Sequence, residues 1–379
     1  MKKKYIILSI IVLVLLITFV TSFNYFKTSN NYVEDSVNNQ TKIIKGISMN
    51  LEQTAGAGDY KTVTQSSWPT EGYKFNTELS RCENGSTLSW DDSKKAVVMN
   101  GNVSDKCYVY FDKVLTLANY VISQYTGIQG ENSLYYHDSN LANGVGDNSY
   151  RYAGASDSVN NYICLGSDAA TCPDDNLFRI IGVFGAQTKV IRAKSVGNQK
   201  WDTSSSNKWS SSSLNTYLNG TYLTSLGTLK NKIATTTWKV GGWNNTYLQD
   251  VPKTAYQYEV GSSASSTTVN KKIGLMYVTD YYYSASPSAW TLVGYNSSDT
   301  TKDYRVAKTI NWLYLGSIEW TISCHSGTSY SAFGVGNLGY VSGYFDVSTS
   351  SAVRPTFNLE SSVKYVSGSG SMSDPVRVN

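Results

Sequence analysis

Between residues 46 and 113 apolar and polar positions alternate in short runs, SMNLEQT, YKTVTQSSW, STLSW, KAVVMNG and KCYVYFD, each ended by Gly, Asn, Asp or Pro. A period of two turns one set of side chains inward along a strand. With turn residues at this spacing, the pattern predicts a small antiparallel β-sandwich. The period changes at LTLANYVISQY, residues 115–125, where helical spacing predicts a helix that opens a second domain over 114–379. A Gly- and Asn-rich loop follows. LFRIIGVFG (177–185) and TKVIRAKSV (188–196) then read as strands joined by a tight hairpin at Ala186-Gln187.

KWSSSSLNTYLNGTYLTSLG predicts the clearest helix, with Ser210 to Ser213 available as caps and Leu214, Tyr217 and Leu218 on one face. Strands return at IATTTWK, KKIGLMYVTDYYYS, SIEWTIS and AVRPTFNL, between long Ser, Thr, Tyr and Gly loops. No 20–50-residue period repeats, which sets solenoids and propellers aside. The expected class is mainly β, of the α+β type.

Ahead of this pattern, Lys2, Lys3 and Lys4 precede Tyr5–Phe23, nineteen residues without a charge. That length suits a membrane-spanning helix, and the lysines keep its amino end in the cytoplasm. Residues 1–27 therefore read as a signal anchor or a cleaved signal peptide, with the single-pass anchor favoured because the run exceeds a secretory core. Residues 28–45 read as a polar stalk. On this reading the rest of the chain lies outside the cell.

Charge and cysteine usage refine the picture. Setting aside Lys2, Lys3, Lys4 and Lys27 leaves 28 basic residues against 28 acidic ones, so the exported part is neutral. Nucleic acid, which needs a basic footprint, is not an expected partner. The five cysteines stand at 82, 107, 164, 172 and 324. An exported chain can hold disulfides, and sequence neighbours pair as Cys82–Cys107 and Cys164–Cys172; five free thiols are the alternative. With no Cys-x-x-Cys, and with His137 and His325 far apart, no metal or other cofactor is expected.

The order NLFRIIGVF, KWSSSSLNTYLN, KKIGLMYVTDYYYS, EWTISCHSG and SSAVRPTFNLESSVKYVSGSGSMSDPVRVN resembles an uncharacterised domain family of surface proteins of gut Gram-positive bacteria. That family is similar to the C-type lectin-like fold of formylglycine-generating-enzyme and Fibrobacter paralogous-domain proteins. The resemblance covers about residues 150–379 and implies a C-type lectin-like domain with a long irregular region displayed outward. It carries no function over, because the fold serves sugar binding, protein binding and catalysis alike.

Candidate chemistry is sparse. Calcium-dependent sugar sites need a Glu-Pro-Asn-type ligand set, and only Trp243-Asn244-Asn245 and Pro173-Asp174-Asp175-Asn176 come near it. Cys324 and His325 are adjacent and point to opposite faces of a strand. For an enzyme acting on surface glycan or peptide, Glu319, Asp280 and Cys324 are the candidates. The candidate ligand-binding residues are aromatic and polar: Trp243, Trp290, Tyr330, Phe333, Asn337, Tyr340 and Tyr344. Tyr supplies contact area at low entropy cost while Ser, Gly and Asn adapt. Arg354, inside the apolar AVRPTFNL, is expected to clamp the closing strand through Glu319. The leading expectation is a non-catalytic, membrane-anchored surface protein that binds a host or neighbouring-cell glycan or protein. A surface enzyme and a pilus-like subunit are the alternatives.

Overall fold

The computed structural model describes residues 46–379 other than 65, 66, 70, 71 and 245–248, and the backbone of a strand pair, Tyr32–Glu34 with Thr41–Ile43. The expected membrane segment 1–27 and most of the stalk lie outside the described residues. No helix among the described residues is long and apolar enough to cross a membrane. The chain divides into two units, Met1–Leu115 and Thr116–Asn379. Both are built mainly of strands, and the larger adds short helices, so the molecule is a β-rich α+β protein.

In the smaller unit, Ile47–Glu52 and Cys107–Lys113 form the centre of a five-stranded sheet and run parallel to each other. The all-antiparallel expectation is corrected here: the 54 residues between these strands, 53–106, give the chain length to return in the same direction. Thr87–Asp91 and Ala96–Asn100 make a separate hairpin. Val97 and Met99 from the hairpin share one core with Met49, Leu51, Val109 and Phe111 from the sheet. Cys82 and Cys107, paired across the sheet, are joined by a disulfide.

In the larger unit the spine is Leu177–Phe184, buried along almost its whole length. One edge pairs with Tyr150–Tyr152 and Tyr162–Cys164, end to end; the other pairs with Gln187–Arg192. The hairpin turn is Gly185-Ala186, one residue earlier than expected. Gly185 takes φ +62°, which puts a glycine at the first position where a type II′ turn needs one. At Gly182 the neighbouring strand comes so close that a Cβ would lie 2.1 Å from the Tyr150 carbonyl oxygen. Thr356–Leu359 continues the sheet beyond Gln187–Arg192.

A second, five-stranded sheet has the order Asn198–Lys200, Ser350–Ala352, Glu319–Cys324, Ser331–Val335 and Val341–Asp346. The stretch AVRPTFNL is therefore not one strand. Its first residue ends a strand of the second sheet, TFNL belongs to the first, and Val353-Arg354-Pro355 carries the chain across. Pro355, without an N–H to donate, sits where neither ladder needs one.

Both predicted helices form, and one predicted strand does not. Leu117–Ser123 is a helix capped by the Thr116 hydroxyl, and Ser212 caps Ser213–Tyr217 by accepting from Asn215 N. The predicted strand over KKIGLMYVTDYYYS instead holds a helix, Val278–Tyr283. The β preference of its tyrosines is overridden because two carboxylates take the first N–H groups. Asp280 accepts from Tyr277 N, and Glu259 accepts from Val278 N and Thr279 N, each at 2.8 Å.

Candidate functional site

The expected recognition surface does not form as a unit. Trp243 is 6% exposed and its ring stacks on Phe333, centroids 4.0 Å apart, while Phe333 itself is fully buried. Trp290, 1% exposed, donates from Nε1 to the Ala285 carbonyl and packs against Tyr135, Tyr283 and His137. These three are core residues: Phe333 lies on a buried strand, Trp243 bridges to His325 beside it, and Trp290 follows the short turn Pro287–Ala289. Tyr330 and Tyr344 are about half exposed, and Asn337 is exposed. Tyr340 is half-buried against Tyr295 and Phe345.

The residues proposed for catalysis are tied up. Arg354 grips Glu319 at both oxygens, Nε to Oε1 at 2.6 Å and a terminal nitrogen to Oε2 at 2.7 Å, with both side chains buried. Burial pushes the Cys324 thiol up to about 11, and its Sγ lies 3.4 Å from the Val240 carbonyl oxygen. Asp280 is held in an ion pair described below. Asp174 and Asp175 are paired with Lys194 and Arg192. The second disulfide joins Cys164 to Cys172, and Cys324 stays free.

What the larger unit does assemble is a cavity of about 280 Å³ at the face of the sheet built on Leu177–Phe184. Lys189 and Asn358 stand opposite each other on paired strands and both reach it. Their chain neighbours Val190 and Phe357 turn into the core, as strand alternation requires. Arg151 comes from Tyr150–Tyr152, Trp238 from Thr236–Lys239, and Tyr256 from the helix Pro252–Glu259. Tyr277 and Asp280 come from the start of the helix Val278–Tyr283.

Charge at this cavity is fixed by contact. Lys189 Nζ bonds Asp280 Oδ2, with both side chains buried. Arg151 holds Asp147 at 2.7 Å, donates from Nε to Ser149 Oγ at 2.8 Å, and lies 4.0 Å from Asp280 Oδ1. Aromatic rings surround the two cations: Phe184, Trp238 and Tyr277 lie 4.5–5.5 Å from Lys189 Nζ, and Phe184, Tyr256 and Tyr283 face the Arg151 guanidinium. Burial lowers the Lys189 ammonium, against the pull of Asp280. Burial also raises the Tyr256 hydroxyl to about 12.

Lys239 donates from Nζ to the carbonyls of Val260 and Gly261 and has no carboxylate partner among the described residues. The walls thus carry three cations, Arg151, Lys189 and Lys239, against two carboxylates, Asp147 and Asp280. Asn358 donates to Thr236 Oγ1, while its own Oδ1 is buried without a partner among the described residues. Behind the wall Glu259 accepts from two backbone N–H groups and Ser323, and burial pushes its carboxyl up. Such a site can hold a small ligand with an apolar or sugar-like face and an acceptor-rich or anionic end.

None of these cavity residues except Asp280 stood out in sequence. A usable signal was present: Arg151 in YRYA and Lys189 in TKVIR are charges inside apolar runs, the same anomaly that marks Arg354.

Fold and cavity thus define a β-rich α+β protein with an aromatic-walled, ion-lined pocket. Residues 186–361 match a family described as a domain of unknown function, DUF6273. That stretch includes Lys189, Trp238, Tyr256, Tyr277, Asp280 and Asn358, while Asp147 and Arg151 precede it. No curated protein and no solved structure is similar to the chain.

Proposed function

We propose that this chain is a non-catalytic binding protein, anchored by residues 1–27 and exposed outside the membrane, whose larger unit has a C-type lectin-like fold. The unit holds a small group of a host or neighbouring-cell glycan or protein. The observation that carries the reading is the aromatic cavity with Lys189 and Arg151 held in place by Asp280 and Asp147. Groups fixed before binding lose little freedom when a ligand arrives. A volume of about 280 Å³ suits one sugar ring or one amino-acid-sized group. The excess cation favours a carboxylate on it. Two disulfides support an oxidising location, and the long loops between the sheet strands support the lectin-like assignment.

Calorimetric titration of the full-length protein with acidic sugars and free amino acids tests the proposal. Saturable binding that weakens about tenfold in Trp238→Ala is expected, from the loss of one aromatic contact. Absence of binding across both sets, or turnover of a glycan or peptide abolished by Asp280→Asn, would overturn it.

A further inference from the structure

A second cavity, of about 600 Å³, lies on another side of the larger unit. It is bounded by the segment following Cys164, by Asp175 and Asn176, by Arg192 at the end of its strand, and by the helical stretch 213–231. That stretch is irregular. The α-helical turn Ser213–Tyr217 runs directly into a π-turn, Leu218–Tyr222. In a regular α-helix two residues five apart point about 140° away from each other. The wider i→i+5 turn brings Tyr217 and Tyr222 to the same cavity, with ring centroids 6.4 Å apart. Short π segments concentrate at functional sites.

Two polar groups here have no hydrogen-bond partner among the described residues: Tyr222 Oη and Arg192 Nε, in residues more than nine-tenths buried. The far end of Arg192 is engaged by Asp175. Buried polar atoms in native proteins are as a rule hydrogen-bonded, so an unmet pair marks a place for an outside oxygen. Both atoms are shielded from bulk water, and both belong to residues that line the cavity wall.

A third observation gives the ligand its shape. Across Gly166, Thr228 and Leu229 this cavity adjoins another of about 680 Å³, which runs past Ser167 toward Asp374 and Arg377. The side chains along the pair include three cations, Arg192, Lys232 and Arg377, and three carboxylates, Asp168, Asp175 and Asp374. An elongated, hydroxyl- and amide-rich, charge-balanced groove with a tyrosine pair at one end suits a chain of neutral polar rings.

We infer that this groove binds a neutral oligosaccharide. One sugar ring lies against Tyr217 and Tyr222 and accepts hydrogen bonds from Arg192 Nε and the Tyr222 hydroxyl. The following sugars cross Thr228 and continue over the loop closed by Cys164–Cys172. The site is separate from the Lys189 cavity and does not depend on its role.

The test is calorimetric titration of the full-length protein with two- to six-unit oligomers of glucose, mannose and N-acetylglucosamine, and with oligogalacturonate as an acidic control. At least one neutral series is expected to bind, tightening with length. Tyr222→Phe keeps the ring and should weaken binding about fivefold, the worth of one hydrogen bond. Tyr217→Ala should weaken it about tenfold, and Ile128→Ala, at an exposed position that lines none of the cavities, should leave it unchanged. Failure of all neutral series, binding of the acidic series alone, or binding indifferent to both tyrosine replacements would overturn the inference. Tyr222→Phe is nearly isosteric, and an unchanged thermal midpoint separates lost contact from lost fold.

Discussion

Arg354 shows what a single charge does when it is set inside an apolar segment. Its guanidinium is buried, grips Glu319 at both oxygens and donates to the Leu313 carbonyl at 2.5 Å. A buried pair of this kind gives little net stability over an apolar substitute, yet breaking it strands a charge. Glu319→Gln is therefore expected to destabilise the larger unit by about 3–5 kcal/mol, read from urea unfolding. His137 is a second case. Burial, then the neighbouring Arg151, hold its imidazole well below the usual range, against Asp147. In the unfolded chain it takes a proton near its ordinary value of about 6.5. Stability from the neutral ring is thus complete above that pH and falls as pH drops toward the folded value. Between pH 7.5 and 5 the wild-type protein should lose up to about 2 kcal/mol more than His137→Phe, which cannot titrate.

At the scale of elements, local pattern and tertiary demand part company in identifiable places. The spine Leu177–Phe184 and the helix capped by Ser212 were legible, since continuous apolar burial and a serine cap are sequence-local signals. The helix Val278–Tyr283 was not, because Glu259, one of the groups that hold its N-terminus, lies nineteen residues upstream. Glu259→Ala should leave the Val278 and Thr279 N–H groups and the Ser323 hydroxyl unmet, at about 1–3 kcal/mol each. Loss of near-ultraviolet circular dichroism from the Tyr281–Tyr283 cluster at a lower urea concentration would register it. The cavity was illegible for a related reason. Arg151, Lys189, Trp238 and Asp280 meet through sheet pairing and helix packing, and each looks ordinary within its own segment. Among the aromatic candidates, composition pointed to Trp243, Trp290 and Phe333, whose rings the core absorbed.

For the whole molecule, the two units differ in what stabilises them. The smaller has a core of few large side chains and a disulfide that closes a 25-residue separation. Small domains depend strongly on such staples. Replacing Cys82 and Cys107 together by Ser should cost about 3 kcal/mol and move one calorimetric transition down. The transition of the larger unit should stay in place.

The crossing at Val353-Arg354-Pro355 has one more effect. Residues 350–359 belong to both sheets of the larger unit, and Asn358 at their far end lines the Lys189 cavity. On the proposed function, a ligand resting on Asn358 would stiffen a segment whose near end pairs with Asn198–Lys200 and Glu319–Cys324. Amide hydrogen exchange at Ser350–Ala352 should then slow on binding, in a sheet the ligand never touches. The closing segment would carry the state of the cavity as a message from one sheet to the other.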